Sequence, residues 1–263
     1  MVTLLENYPA FLLIFMRVTA FFVTMPFFSY RTIPSTHKIG FSFFLAWIMF
    51  FSINPPTIEV DGQYFMLILK EVLLGLAIGF SAYFILAAVQ IAGSFIDFQM
   101  GFAIANVIDP QTGAQSPLIG QFLYTFALLL LITTNAHHLL LDGIYYSYQF
   151  VPINQPFLSM GNENIIEFII TSFNSMFIIA FQMSIPVVGS LFLVDIALGI
   201  VARTVPQLNI FVVGLPLKII VSFIMLILTM SALFLLMSQL FETMTYTMRG
   251  LMELFGGGGN QPT

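Results

Sequence analysis

Long apolar runs, separated by short polar connections, constrain this chain more than any other feature of its sequence. Of its 263 residues, 59% are hydrophobic and only 7% are charged, whereas an ordinary soluble domain carries about 25% charged residues. About 20 consecutive apolar residues are enough for one helix to cross the hydrocarbon core of a membrane. These proportions exclude a soluble globular protein and predict an all-α integral membrane protein.

About six apolar runs can be counted by hydropathy. They are Tyr8 to Phe28, Ile39 to Ile53, Tyr64 to Phe98, Leu118 to Leu141, Ile165 to Ala202 and Leu208 to Leu240. Pro186 divides the fifth run and Pro216 lies in the sixth, so kinks are expected there. Basic loops tend to lie in the cytoplasm, and six spans with an external N-terminus would place Arg31 and Arg203 inside and Glu59 outside.

Six of the charged residues within these apolar runs would each cost about 2.5 to 3.5 kcal/mol at the midplane of a bilayer. They are Arg17, Lys70, Glu71, Asp97, Asp195 and Lys218. Helical geometry predicts few partners for them within the chain, because adjacent residues such as Lys70 and Glu71 point about 100° apart. Two interpretations follow: a polar seam buried between helices of this chain, or contacts with neighbouring subunits.

Residues for catalysis, metal binding or nucleic-acid binding are nearly absent from the sequence. The chain has no cysteine, and no nucleophile or phosphate-binding motif is present. His138 and Asp142 have the i, i+4 spacing of a metal-binding pair, but two ligands do not make a site. The few basic residues do not form a cluster that could follow a phosphate backbone. We therefore expect no enzyme activity, metal site, cofactor or nucleic-acid partner.

A short internal similarity leaves a transport function open as an alternative. A carboxylate followed by Leu-Gly occurs at Glu71 to Gly75 and again at Asp195 to Gly199. Five positions in such an apolar chain can match by chance. A paired repeat with a polar site in each half is, however, typical of secondary transporters with broken helices.

The connection between the third and fourth runs is too long for a tight turn. Residues 101–117 contain Pro110, Gly113 and Pro117, which oppose helix continuation, while the first half of the segment is apolar. Irregular backbone is tolerated at membrane depth only where protein or water satisfies it. The segment therefore predicts either a re-entrant element that lines or closes a cavity, or a broken helix packed inside the bundle.

Two stretches of the sequence resemble the FliR family of flagellar biosynthetic proteins, the R/T subunit of type III secretion export gates. The first is Ile96 to Phe102 followed by Asp109 and Pro110, and the second runs from Asp195 to Phe211 and on through Gly214 to Lys218. The resemblance covers essentially the whole chain. The second stretch is the more specific one, because a charged, proline-interrupted motif of that length is unexpected by chance.

The resemblance implies a non-enzymatic subunit, folded into kinked helical hairpins, of a hetero-oligomeric helical export gate in the bacterial inner membrane, at the flagellar basal body. Its implied partners are the P and Q subunits FliP and FliQ, the switch subunit FlhB, membrane lipid and the unfolded flagellar proteins that pass through the channel. Residues 1–255 would form a single all-helical subunit, and residues 256–263 a flexible, glycine-rich tail. The amphipathic stretch before the tail would contact FlhB or lie on the membrane surface.

The resemblance also implies that residues 101–122 are similar to the plug that helps to seal the closed pore of this family. The candidate pore and plug residues are Phe102, Ile104, Asn106, Val107, Ile108, Asp109, Pro110 and Phe122. Charged residues that lack a partner within the chain would pair with residues of neighbouring subunits. The candidate subunit-contact charges are Arg17, Lys70, Glu71, Asp97, Asp195, Arg203 and Lys218.

Overall fold

The described residues of the computed structural model, 7–28, 33–102, 117–158, 163–207 and 209–257, form seven α-helices and no β-strand. The helices are α1 (Tyr8–Thr24), α2 (Ser35–Ile53), α3 (Gly62–Met100), α4 (Leu118–Thr133), α5 (Ala136–Phe150), α6 (Glu163–Thr204) and α7 (Ile210–Phe255). The predicted all-α class is confirmed.

Helices α6 and α7 each continue through an internal proline. Pro186 was expected to divide the fifth apolar run, but α6 is one helix of 42 residues. The missing hydrogen bond at a proline is tolerated in membrane helices, because neighbouring groups and small local adjustments satisfy the freed carbonyl. The last helix also extends beyond the end of its apolar run at Leu240, as far as Phe255.

The fourth apolar run does not form one continuous helix. Helix α4 ends at Thr133, and α5 begins at Ala136 after a break of two residues. Asn135, between them, has a φ of 58°, in the left-handed region that asparagine adopts more readily than most side chains. The sequence prediction of one span from Leu118 to Leu141 missed this break.

Several helices are suited to crossing a membrane, although fewer than the six predicted spans. Among the described residues, α2, α3, α6 and α7 are long and apolar enough, and the bent pair α4 and α5 would make a fifth span if counted as one. Helix α1 is apolar but has only 17 residues. A multi-pass membrane protein with four or five spans therefore agrees better with the helix lengths.

The chain divides into two compact units, and α3, α6 and α7 contribute residues to both. Unit 1 consists of Met1–Ile85, Thr134–Phe173 and Glu242–Thr263, and unit 2 of Leu86–Thr133 and Asn174–Phe241. Each unit has its own buried polar contacts.

Unit 1 is built on close packing of α1 against α2 and α3. The Phe11 ring of α1 meets the rings of Phe43, Trp47 and Phe50 of α2 edge-on, with centroids 5.5 to 6.0 Å apart. On α3, Gly75 lies directly against the backbone carbonyl of Arg17. Such small residues allow the backbones of membrane helices to approach closely.

Unit 2 shows a similar approach between two other helix segments. Gly93 of α3 lies against the backbone of Gly120 in the first turn of α4. The Phe95 ring packs edge-on against the rings of Phe177 and Phe181 of α6, with centroids 6.1 and 6.4 Å apart. Glycine at the closest contact and aromatic rings beside it thus bring α3 together with its neighbours in this unit.

The contact at Gly75 predicts that Gly75→Ala destabilises the protein. A Cβ atom there would collide with the Arg17 carbonyl oxygen, which belongs to the backbone and cannot rotate away. Overpacking of this kind costs about 1 to 3 kcal/mol. We expect a lower thermal unfolding midpoint for the detergent-purified protein, measured by loss of tryptophan fluorescence.

Gly189→Ala is the matched control, because Gly189 also lies inside a helix and a Cβ there would meet no atom within 4 Å. Alanine has the higher helix propensity, by about 1 kcal/mol, so this variant should be unchanged or slightly more stable. Equal midpoints for the two variants would contradict the proposed contact.

Candidate functional site

The predicted site residues fall into three groups in the structure. Unit 1 contains Arg17, Lys70 and Glu71, and the other candidates on described segments belong to unit 2. The remaining plug candidates lie outside the described residues. They are Ile104, Asn106, Val107, Ile108, Asp109 and Pro110.

Glu71 is the centre of a buried ion cluster in unit 1. Its carboxylate accepts hydrogen bonds from Arg17 Nε at 2.5 Å and from Arg17 Nη2 at 2.9 Å, which is a bidentate arrangement. Lys70 Nζ lies 2.6 Å from Glu71 Oε1. All three side chains are buried. The prediction that Lys70 and Glu71 diverge was wrong, because the flexible lysine side chain lets its ammonium group reach the neighbouring carboxylate.

The two cations of this cluster also bind the end of α5. Arg17 donates to Ser147 Oγ at 2.9 Å and to the Val151 carbonyl at 3.0 Å. Lys70 donates to the carbonyls of the next two residues, at 3.0 and 3.2 Å. The partial negative charge of a helix C-terminus favours Arg17 at the cap residue Val151, and the carbonyls that Lys70 binds follow directly after the helix. The cluster therefore joins α1 and α3 to the end of α5.

An aromatic ring completes the surroundings of Arg17. The Cζ atom of Arg17 lies 3.8 Å from the centroid of the Tyr148 ring, a cation–π distance. Sequence reasoning identified the three charged residues but missed Ser147, Tyr148 and the row of carbonyls. No spacing in the sequence links these groups to Arg17 and Lys70, which lie 82 to 134 positions away.

A second ion pair, in unit 2, joins segments of three helices. Lys218 Nζ of α7 lies 2.5 Å from Asp195 Oδ1 of α6. Gln99 of α3 donates from Nε2 to Asp195 Oδ2 at 2.8 Å. The side chains of Lys218 and Asp195 are 20% and 38% exposed, so this pair lies nearer to the surface of its unit than the cluster around Glu71. Gln99 was not among the predicted site residues.

Asp97 is buried in unit 2 and has no cation as its partner among the residues that the structure describes. Its carboxylate accepts hydrogen bonds from the backbone N–H groups of Ile119, at 3.0 Å, and Gly120, at 3.3 Å. The six charges singled out within the apolar runs therefore have partners in their own unit. The interpretation that the chain supplies few partners was wrong, because those partners come from helices distant in sequence and from backbone groups.

Arg203 differs from the other candidate charges because its side chain is exposed, in the last turn of α6. The structure contains one chain, so the role of any of these charges in subunit contacts stays a prediction. Arg17, Lys70, Glu71 and Asp97 are buried within the chain. Arg203, and to a lesser degree the Asp195–Lys218 pair, are the accessible candidates.

Two plug candidates lie on described residues. Phe102 is half-buried two residues after α3 ends, and Phe122 is 50% exposed in α4, with its ring 4.8 Å from that of Phe126. Because α4 begins at Leu118, the last five residues of the predicted plug-like stretch 101–122 are helical.

The internal similarity of the sequence is not matched by similar surroundings. Gly75 packs against the α1 backbone, whereas a Cβ at Gly199 would meet nothing within 4 Å. Glu71 is buried beside two cations, whereas Asp195 is partly exposed beside one. The two segments thus do not form equivalent halves of a transporter site. Within the described part of the chain, no group of three or more His, Asp and Glu side chains could hold a metal ion.

The long apolar helices and the ion pairs that join them define an all-α, multi-pass membrane protein. Residues 8–244 match the family model described as bacterial export proteins, family 1. The chain belongs to this family.

Relatives from three bacteria are similar to this chain over most of their length. The flagellar biosynthetic protein FliR of Bacillus subtilis (strain 168) is 63% identical over 97% of this chain and 98% of its own. FliR of Escherichia coli (strain K12) is 32% identical over 78% of this chain and 77% of its own. The Yop proteins translocation protein T of Yersinia pestis is 31% identical over 66% of this chain and 67% of its own. These relatives favour protein export over the alternative of a secondary transporter.

The buried cluster predicts a large loss of stability for Glu71→Ala. This change leaves two buried cations without a carboxylate, and breaking a buried pair costs about 3 to 5 kcal/mol. We expect little folded protein in detergent extracts and a much lower unfolding midpoint, measured by fluorescence-detected size-exclusion chromatography after heating.

Glu253→Ala is the control. Glu253 is the other described carboxylate of unit 1 that pairs with an arginine, and it lies 2.9 Å from Arg249 on the surface. An exposed pair contributes about 0 to 1 kcal/mol, so this variant should unfold near the wild-type midpoint. A Glu71→Ala protein as stable as Glu253→Ala would show that the cluster does not stabilise unit 1.

Proposed function

We propose that this chain is a subunit of the flagellar type III protein export gate in the bacterial inner membrane, at the flagellar basal body. In this proposal, residues 1–255 act as one structural, non-enzymatic subunit. Together with the P and Q subunits, FliP and FliQ, it forms the channel through which unfolded flagellar proteins leave the cell. Family membership and the similarity to FliR proteins support the export role.

The observation that carries the assembly proposal is the apolar surface left uncovered on the longest helices. Only 11% of the most apolar stretch of α6 and 17% of that of α7 are buried within the chain, against 56% for α3. Large side chains such as Ile170, Phe192 and Ile200 are more than half exposed. Such faces need a covering of lipid or of other apolar helices, and helices of P and Q subunits would supply part of it.

Exposed charge at the end of α6 offers a polar contact for the same assembly. Arg203 lies in the last turn of that helix with its side chain exposed. Only 7% of the residues of this protein are charged, so an accessible arginine stands out on its surface. It can bind a carboxylate or a helix C-terminus of a partner. We assign Arg203 to a subunit contact, with Asp195 and Lys218 near it in sequence as further candidates.

The C-terminal part of α7 is the proposed contact for the switch subunit FlhB. Its apolar face is already occupied, since Met244, Met248 and Met252 are buried in unit 1. The exposed side carries Tyr246 and the Arg249–Glu253 pair. A partner would therefore bind this polar side. The glycine-rich tail, predicted to be flexible, lies outside the described residues from 258 onwards.

The connection between α3 and α4 is proposed to help to seal the closed channel. Bulky apolar side chains exclude water and ions, and the sequence of this segment supplies Phe102, Ile104, Val107 and Ile108. Phe122, exposed in α4, is a further candidate for the same surface.

The assembly proposal predicts that the chain purifies from detergent as one complex with co-expressed P and Q subunits, detected by native mass spectrometry. Arg203→Ala should reduce the yield of this complex about fivefold, which corresponds to a loss of about 1 kcal/mol. Arg249→Ala is the matched control, because it removes another exposed arginine that already has a partner in this chain. A stable monomer or homodimer despite co-expression would disprove the proposed assembly.

The seal proposal predicts an ion leak when residues 106–116 are replaced by a Gly-Ser linker of equal length. This replacement stops before α4, so the helix and its contacts remain. We expect the complex to assemble and the membrane conductance of cells that express it to rise. Replacement of residues 258–263 by the same type of linker is the control and should leave conductance unchanged. Wild-type conductance for the 106–116 variant would show that the segment is not a seal.

A further inference from the structure

The end of α3 is fixed by two backbone hydrogen bonds, one of which ends on Asp97. After the last helical residue, Met100, Gly101 adopts a φ of 91°, which glycine alone adopts without strain. The Gly101 N–H then donates to the Phe98 carbonyl at 3.1 Å, and the Phe102 N–H donates to the Asp97 carbonyl at 3.0 Å. These two bonds are the Schellman motif, which ends a helix in a defined direction.

The start of α4 is fixed by the side chain of the same residue. The N–H groups in the first turn of a helix have no acceptor within the helix, and those of Ile119 and Gly120 donate to the Asp97 carboxylate. Further along, the Gln121 N–H donates to Pro117 O at 2.8 Å, which begins the hydrogen bonding within α4 among the described residues. A negative charge here is also favoured by the helix dipole.

Close packing one turn away holds the carboxylate in this position. Gly93 precedes Asp97 by four residues on α3, so the two lie on the same side of the helix. At Gly93 the α3 backbone touches that of Gly120, one of the two residues whose N–H groups Asp97 accepts. A larger residue at either glycine would force the backbones apart and lengthen the hydrogen bonds of Asp97.

A second contact supports the end of α3. Gln99 donates to Asp195, and Lys218 Nζ lies 3.5 Å from the Gln99 carbonyl. A cation is favoured near the C-terminus of a helix, just as an anion is favoured near the N-terminus. Lys218 and Asp97 therefore each carry the charge that suits the helix end they contact, and all of these residues belong to unit 2.

We infer that Asp97 is a positioning residue that fixes both ends of the connection between α3 and α4. Its backbone carbonyl binds the residue where the connection leaves α3, and its carboxylate binds the residues where the connection enters α4. The connection therefore starts and ends at the same residue, whose hydrogen bonds fix the geometry of both ends. This inference deepens the proposed seal and rests on it for its functional meaning, since it names the residue that holds the two described ends of the connection.

Hydrogen exchange on the complete complex tests this inference, because the two ends depend on different atoms of Asp97. Asp97→Ala removes the carboxylate and keeps the backbone carbonyl. We expect the amides of Ile119 and Gly120 to exchange about 10- to 100-fold faster, as follows from the loss of charge-assisted hydrogen bonds. The amide of Phe102 should change much less. Exchange is read by mass spectrometry on peptides that cover 117–122 and 99–102.

Two further variants separate positioning from a general loss of folding. Asp97→Asn keeps one acceptor oxygen and should restore part of the protection at Ile119 and Gly120. Ser94→Ala removes an exposed hydroxyl one turn earlier on α3, whose only described bond is to Gln90 O, and should leave exchange unchanged. If Asp97→Ala prevents assembly, Asp97→Asn alone should still show faster exchange confined to 117–122.

Unchanged exchange at 117–122 in both Asp97 variants would overturn the inference. Equally faster exchange throughout unit 2, for example at the buried segment around Val187, would overturn it too, because it would show that Asp97 only contributes to general stability. The seal itself is decided by the conductance of the 106–116 variant. Wild-type conductance of that variant would disprove the seal but not the role of Asp97, which the exchange experiment decides.

Discussion

The burial of Glu71 between Arg17 and Lys70 is the interaction on which unit 1 depends. Removal of ions from water costs several kcal/mol for each ion, so a buried charge needs partners of good geometry. Glu71 obtains them from a bidentate arginine and a lysine. The extra cation then requires acceptors of its own, which the carbonyl groups at the end of α5 provide. One carboxylate thereby fixes the mutual positions of α1, α3 and the end of α5.

The same local pattern on α3 serves both units. Gly75 follows Glu71 by four residues, and Gly93 precedes Asp97 by four, so each carboxylate has a glycine on the same side of the helix one turn away. At each glycine the backbone of another helix lies in contact with α3. Close approach places backbone and side-chain donors within reach of the carboxylate, and the carboxylate in turn holds the two helices together. Packing and electrostatics therefore depend on each other at both places.

The sequence was sufficient to predict the class of fold and the charged residues whose burial costs free energy. It did not predict the partners of those residues. Hydropathy located each long helix of the described segments, and the cost of burial singled out Glu71, Asp97 and Asp195. The partners could not be predicted, because they are distant in sequence or are backbone groups, which every residue has. The divergence expected for Lys70 and Glu71 followed from Cβ directions alone and ignored the reach of a lysine side chain. The break at Asn135 depends on a backbone conformation that asparagine permits but does not require.

The distribution of polar groups also determines how this chain can recognise other molecules. Six of its charges in apolar segments bind partners within the chain, while α6 and α7 expose mainly apolar side chains. Apolar contact is non-directional, so specificity at such faces must come from shape. The buried carboxylates set that shape, because they fix where helices approach and where they end. The residues that hold this subunit together are thus expected to act on assembly indirectly, whereas exposed charges such as Arg203 are the ones that we propose for direct polar contact with a partner.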